Sequence, residues 1–419
     1  MKRIFTVLLA ALLVLLSAAC GNGENTVNNE IFPKKTEMKT DGQLYTGGEV
    51  KFPAALWETP TAERYDALDR EALNVEGYFI DSVQGTKVFA FVGLPEGASA
   101  ENPVPGIVLV HGGGGTAFFE WVSFWVKRGY AAIAMDTDGN MPTENSRMTN
   151  SEHTASIREH GPANMGFADW QKPVEEQWAY HAIASVIVCN SFLRSFEGVD
   201  GGRIGITGIS YGSFLTCQAA AYDDRFCFAA PVYGSLDQKV GDTVFSDIMQ
   251  DRKAELWDDN AVLAGNKTPF FYLNSNIDQF FSVLATAESD KKTEYSQMLL
   301  KYGFLHGHDL GGLQVPELYA FADNICLGTA GLVQIAVQPT FARQAAEVKA
   351  PQGVGIASVT GYYATAGVLD EKTAWLPVAG EYGGGIAEVS IPGNASYFYI
   401  NITDSRGLEI STRVISAGE

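Results

Sequence analysis

The chain has 419 residues, and its 49 acidic side chains against 29 basic ones give a formal net charge of −20 at pH 7. So acidic a body repels nucleic acid and anionic surfaces, which excludes nucleic-acid binding. Four of its five cysteines, Cys189, Cys217, Cys227 and Cys326, lie in apolar or helical runs without metal-ligand spacing, so they read as buried thiols; an exported protein could pair two of them.

The chain opens with Lys2 and Arg3, continues apolar from Ile4 to Leu16, and reaches Ser17-Ala18-Ala19-Cys20-Gly21. That apolar run is too short for an ordinary spanning helix, so residues 1–19 read as a secretion signal. A cysteine directly after small residues has the form of a lipobox, which implies lipid attachment at Cys20 and an exported protein anchored to the outer face of a bacterial envelope. Ser17 stands where leucine is usual, and plain secretion with a free Cys20 is the alternative. Loss of the leader removes two positive charges and takes the formal charge to about −22, leaving the N-terminal lipid as the one expected membrane attachment. Residues 20–50 are polar, lack apolar periodicity, and read as a tether.

Glu76 to Ser82 and Thr86 to Gly93 alternate as two antiparallel strands joined by a turn at Gln84-Gly85. Gly106 to Val110 is a buried-strand run that enters His111-Gly112-Gly113-Gly114-Gly115. Such glycines let backbone N–H groups approach a developing oxyanion, and losing one donor costs about 3 kcal/mol of transition-state stabilisation. The expected donors are Gly113, with Gly112 beside it, and Tyr211. A phosphate loop would need a lysine and a Ser/Thr that do not follow here, and His111 reads as structural, bonded to backbone beneath the loop. Ala131 to Met135 is another strand, ending at Asp136-Thr137-Asp138-Gly139. The long polar stretch 140–172, with Met141, Met148, Met165, Phe167 and Trp170 dispersed through it, reads as a lid or substrate-binding loop rather than a tolerated surface insertion.

After the strand-like Arg203 to Thr207 comes Gly208-Ile209-Ser210-Tyr211-Gly212, which has the form of a nucleophile elbow leading into a helix. A serine hydroxyl must sit exposed on a tight turn if base and substrate are both to reach it. Pro269 to Asn274 is a further strand with Asp278 in the loop after it, and Met298 to Tyr302 is followed by His306-Gly307-His308. In this arrangement Ser210 attacks, His306 or His308 carries the proton, and Asp278 orients the imidazole. His306 is favoured by its distance from the strand; Asp237 is the alternative acid. His153, His160 and His181 lack such settings and read as surface, lid or packing residues. Neither a cofactor nor a metal is expected.

Strands and helices alternate from Gly106 to Gly328, which calls for an α/β fold with a mostly parallel sheet and helices on both faces. From about Gln334 the runs are short, alternating and separated by turns, the texture of a small antiparallel β-sandwich of about eighty residues. Its aromatic residues Tyr362, Tyr363, Trp375 and Tyr382 read as core more readily than as a sugar platform.

Together these segments resemble the α/β-hydrolase superfamily, and within it bacterial esterases related to acetylxylan esterases, dienelactone hydrolases and prolyl-oligopeptidase-like catalytic domains. The resemblance spans about Phe52 to Gly328, and its most specific parts are Val110 to Phe118, Gln177 to Ala182 and Gly205 to Gly212. Tyr222 to Phe226 and Pro316 to Asp323 fit the same pattern; Ser213 departs from it, standing where a second glycine is common. The Ser, Asp, His chain order is that of α/β-hydrolases. The resemblance implies a catalytic domain over 51–333, a sandwich over 334–419, and a serine carboxylesterase acting on acyl esters of carbohydrates. The alternatives are a prolyl-oligopeptidase-like peptidase, against which no propeller-sized segment precedes the hydrolase part, and a noncatalytic binding lipoprotein, against which the Ser, Asp and His set is complete.

Overall fold

The computed structural model of the chain describes residues 42–156, 158–236, 243–308 and 310–418. The leader, Cys20 and the first part of the tether lie outside the described residues, as does Asp237. The central sheet begins with β1 (Ala62–Arg64), β2 (Val75–Asp81) and β3 (Lys87–Gly93), paired antiparallel as the alternation predicts. Gln84 and Gly85 make the expected turn with φ of 54° and 72°.

Six parallel strands follow: β4 (Val104–Val110), β5 (Ala131–Met135), β8 (Val199–Ile209), β9 (Ala229–Val232), β10 (Phe270–Ser275) and β11 (Ser296–Lys301), with a separate hairpin of β6 (Asn140–Pro142) and β7 (His153–Ala155) between β5 and β8. Their spatial order is β5-β4-β8-β9-β10-β11, every neighbouring pair parallel, and β5 pairs antiparallel with β3. Parallel strands covered on both faces must be apolar along their whole length rather than on alternate residues. The buried Ala131 to Met135 and Phe270 to Leu273 meet that demand.

The main covering helices are α1 (Phe119–Lys127), α2 (Trp178–Arg194), α3 (Tyr211–Tyr222), α4 (Val283–Lys292) and α5 (Pro316–Leu327). α1 packs on β3 and β5, α2 on β5 and α3, and α3 on β8 and β9. α5 starts with Pro316, whose missing N–H costs nothing in a first turn, and stops at Gly328 in the left-handed conformation. The four described cysteines are free and buried, and the sulfurs of Cys227 and Cys326 lie 3.7 Å apart.

The C-terminal segment is all β, as its texture predicts, but it does not stand apart. β12 (Gln334–Val337), β13 (Ala345–Lys349), β16 (Glu381–Gly383) and β17 (Ile386–Glu388) form a small sheet of their own. β14 (Ile356–Ala364), β15 (Leu376–Ala379), β18 (Tyr397–Asp404), β19 (Glu409–Ser411) and β20 (Ile415–Ser416) instead extend the central sheet beyond β11. The seam is Met298 opposite Ser411, reinforced where Ser411 Oγ accepts from the Leu300 N–H (2.8 Å) and Asn401 Nδ2 donates to the Leu300 C=O (3.2 Å). Catalytic and C-terminal parts thus form one compact unit.

Candidate active site

Because β4, β8, β10 and β11 run parallel, the loops that leave their C-terminal ends emerge at one edge of the sheet, where α/β proteins place their sites. Those loops carry His111 to Gly115, Ser210, Asp278 and His306 to His308.

Ser210 links β8 to α3 with φ 56° and ψ −120°, a conformation costly for any residue with a Cβ and held by the surrounding contacts. Its N–H donates to the Val232 C=O at 3.1 Å. The flanking glycines are required by crowding: a Cβ at Gly208 would collide with the Gly212 backbone, and one at Gly212 with the Val110 and His111 carbonyls. Ser213, the departure from the family pattern, is accommodated because its hydroxyl donates to the Ser210 C=O at 2.8 Å and so stays satisfied while buried.

His111 shapes the glycine loop. Its Nε2 accepts from the Thr137 N–H (2.9 Å), so the proton sits on Nδ1, which donates to the Gly112 C=O at 2.7 Å. The ring is therefore neutral and structural. In a trans peptide the carbonyl and the following N–H point to opposite sides, so anchoring the Gly112 oxygen on His111 turns the Gly113 N–H away from it. Among the described residues neither the Gly113 nor the Tyr211 N–H has a hydrogen-bond acceptor. The Tyr211 ring lies over Gly113 so closely that a Cβ there would stand 2.8 Å from it.

Asp278 Oδ1 accepts from the Phe280 and Phe281 N–H groups, both at 2.8 Å, which holds the carboxyl in one orientation. Its other oxygen accepts from His306 Nδ1 at 2.6 Å. That bond puts a proton on His306 Nδ1, so that in the neutral ring Nε2 carries the lone pair, and this buried Nε2 has no hydrogen-bond partner among the described residues. The ring is packed between Tyr233, at 4.1 Å between centroids, and Phe280, at 4.8 Å. The Tyr233 hydroxyl donates to the Gly307 C=O (2.7 Å) and accepts from the Gly307 N–H (3.0 Å), while Asn276 Oδ1 accepts from the Gly303 N–H (2.6 Å). Of the two candidate bases, then, His306 is the one bonded to Asp278. His308 lies instead against the glycine loop, its ring 2.6 Å from where a Gly112 Cβ would be.

Ser210, Tyr211, Gly113, His306 and His308 line one cavity of about 660 Å³. Its lining also includes the apolar Phe245 and Phe280 and the polar Asp138, Asn140, His153 and Asn164. The last three come from the stretch 140–172, so that segment contributes to the cavity lining. It is pinned by Phe167, which is buried among Trp178, Tyr211 and Phe214. Burial pushes the Asp138 carboxyl above the usual carboxylate range, and burial with Asp138 nearby pushes the Tyr211 hydroxyl up to about 12. His160 and His181 line a separate polar cavity of about 740 Å³, and burial lowers the His181 pKa.

Sequence reasoning assigned no role to Tyr233, Asp138, Asn164 or Phe245. His153 was expected only as a surface, lid or packing residue. Tyr233 carried one weak mark, an aromatic followed by glycine where a strand ends. Asp138 carried another, as the second acid of an Asp-Thr-Asp-Gly strand end.

Residues 55–238, a little under half of the chain, match the family model for acetyl xylan esterase (AXE1). No curated protein matches the sequence. Among solved structures, an acetyl xylan esterase from Paenibacillus sp. R4 is similar at 18% identity, with 60% of this chain and 86% of that one covered and a TM-score of 0.46. Acetyl xylan esterase 1 from Thermoanaerobacterium sp. JW/SL YS485 is similar at 17% identity, with 65% and 90% covered and a TM-score of 0.47.

Proposed function

We infer that this chain, an α/β-hydrolase of the acetyl xylan esterase family over its matched residues 55–238, is a carbohydrate esterase that works through Ser210, His306 and Asp278. The observation that carries the reading is the His306 Nδ1 to Asp278 bond together with a free Nε2 on the wall that Ser210 shares.

In this mechanism the Ser210 oxygen attacks the acyl carbonyl while His306 Nε2 takes its proton. Asp278, whose second oxygen is already committed to two backbone N–H groups, stabilises the imidazolium without rotating. The N–H groups of Gly113 and Tyr211 stabilise the oxyanion, each worth about 3 kcal/mol, with Gly112 setting the turn. His306 then returns the proton to the departing sugar hydroxyl, and water repeats the sequence to free the acid and Ser210. The Phe245 and Phe280 wall suits a short acyl group.

The test is hydrolysis of p-nitrophenyl acetate and acetylated xylan by the unmodified protein, Ser210→Ala, His306→Ala and His308→Ala. Ser210→Ala and His306→Ala should each lose about 10⁴-fold or more in kcat, and His308→Ala far less. Full activity in His306→Ala would refute the assignment of the base. Attachment of the enzyme to the outer envelope through Cys20 is supported by the leader's composition. It is checked by incorporation of labelled fatty acid that Cys20→Ala abolishes.

A further inference from the structure

We propose that the cavity selects esters that keep a free hydroxyl beside the acylated oxygen, and that Asp138 is the group that recognises that hydroxyl. The inference rests on the esterase reading above and narrows its substrate to partially acylated, uncharged sugars.

Two carboxylates leave the end of β5, and they are used differently. Asp136 is fully committed: one oxygen accepts from Thr116 Oγ1 at 2.7 Å, the other from the Asp138 and Asn140 N–H groups, both at 2.9 Å. Asp138, only 8% exposed, lines the catalytic cavity with Ser210. Its Oδ1 accepts from Trp178 Nε1 at 3.1 Å and, weakly, from Thr137 Oγ1 at 3.4 Å. Its Oδ2 has no donor among the described residues. An acceptor that the fold leaves open on a cavity wall is available to a donor brought in by a ligand.

The chemistry of the surrounding wall identifies that donor. Asn140, His153 and Asn164 line the same cavity as the apolar Phe245 and Phe280, so its lining is divided between hydrogen-bonding and apolar groups. An acetylated pyranose has that division. Neither lysine nor arginine is among the described lining residues, so a uronate or an acidic acyl group would meet Asp138 without a counter-charge. When the hydroxyl next to the ester is itself acylated, it can no longer donate and its acyl group crowds the carboxyl. Sites built to bond a substrate hydroxyl reject analogues that lack it far more strongly than apolar pockets reject a missing methylene.

The experiment compares three substrates: methyl 2-O-acetyl-β-D-xylopyranoside, its 3-deoxy analogue and its fully acetylated counterpart. Each is given to the unmodified enzyme and to Asp138→Asn, with p-nitrophenyl acetate as a reference. The unmodified enzyme should favour the monoester by about tenfold or more in kcat/KM over both others. Asp138→Asn should bring those ratios close to one, losing more on the monoester than on the aryl acetate. Equal turnover of the three sugars by the unmodified enzyme, or unchanged ratios in Asp138→Asn, overturns the Asp138 assignment and leaves the esterase reading standing. Turnover of the aryl acetate with none of any sugar ester overturns the carbohydrate reading, and this inference with it. The 3-deoxy comparison needs no variant, so a poorly folded Asp138→Asn does not spare the proposal.

Discussion

Replacing Tyr233 by phenylalanine removes one oxygen while keeping the ring that stacks at 4.1 Å on His306. That oxygen donates to the Gly307 C=O and accepts from the Gly307 N–H, so a single hydroxyl holds both ends of the residue next to the proposed base. Each lost bond is worth about 0.5–1.5 kcal/mol net, which puts the total at about 1–3 kcal/mol. If those bonds hold the imidazole in register with Ser210, the loss falls on the transition state, at about 1.4 kcal/mol per tenfold in rate. We expect kcat on p-nitrophenyl acetate to fall by about 10- to 100-fold. KM should change little, because Tyr233 is not among the residues that line the cavity. Steady-state kinetics and a thermal melt on the same preparation test this. A lowered melting temperature with an unchanged kcat would refute the reasoning, since the bonds would then support the loop without positioning the base.

Asp278→Asn keeps an acceptor for the Phe280 and Phe281 N–H groups but no longer fixes the proton on His306 Nδ1, so kcat should fall about 10⁴-fold; a loss under tenfold would show that another acid serves. Gly212→Ala drives a Cβ into the Val110 carbonyl and should abolish soluble expression or sharply lower the melting temperature, whereas Gly114→Ala, with φ 72° but open space around it, should cost only about 1 kcal/mol. Asp138→Asn should change stability in a pH-dependent way. Burial raises the folded-state pKa of Asp138, so the native protein holds that proton more tightly than the unfolded chain, and stability is lost as pH rises from the unfolded value of 3.8 through the folded one. The variant should therefore melt higher than the unmodified protein at neutral pH and equally at about pH 3, as read by calorimetry; an equal difference at both would sink the argument.

The parallel core was legible because strands covered on both faces must be apolar throughout. Gly106 to Val110, Ala131 to Met135 and Pro269 to Asn274 each show such a run, and each lies within a residue or two of the observed strand. The seam between β11 and β19 was not legible. It joins Met298 to Ser411 across more than a hundred residues, and β19 has only three residues in which to show a pattern. Local alternation reports that a strand has a buried face, and it says nothing about which strand lies beside it. The same limit hid that half of the C-terminal β segment, read from its texture as a small sandwich, prolongs the central sheet.

The site divides along a similar line. Ser210, Asp278 and the two histidines could be found because parallel topology forces the ends of β8, β10 and β11 to one edge, so the order of the loops in the sequence already implies their convergence. His306 and His308 stand two residues apart on one loop, and in the chain only their distance from the preceding strand weighs between them. What separates them is the cage around that loop: Asn276 holding Gly303, Tyr233 holding Gly307, and Tyr233 and Phe280 packed on the imidazole. Asp136 and Asp138 are likewise indistinguishable as letters. Both oxygens of Asp136 already accept from Thr116 and two backbone N–H groups, while the second oxygen of Asp138 is left without a described donor on the lining of the cavity that Ser210 shares. Residue type marks which groups are capable of chemistry. Which of them remain available is decided by the hydrogen bonds the fold has already made, and those come from partners far away in the chain.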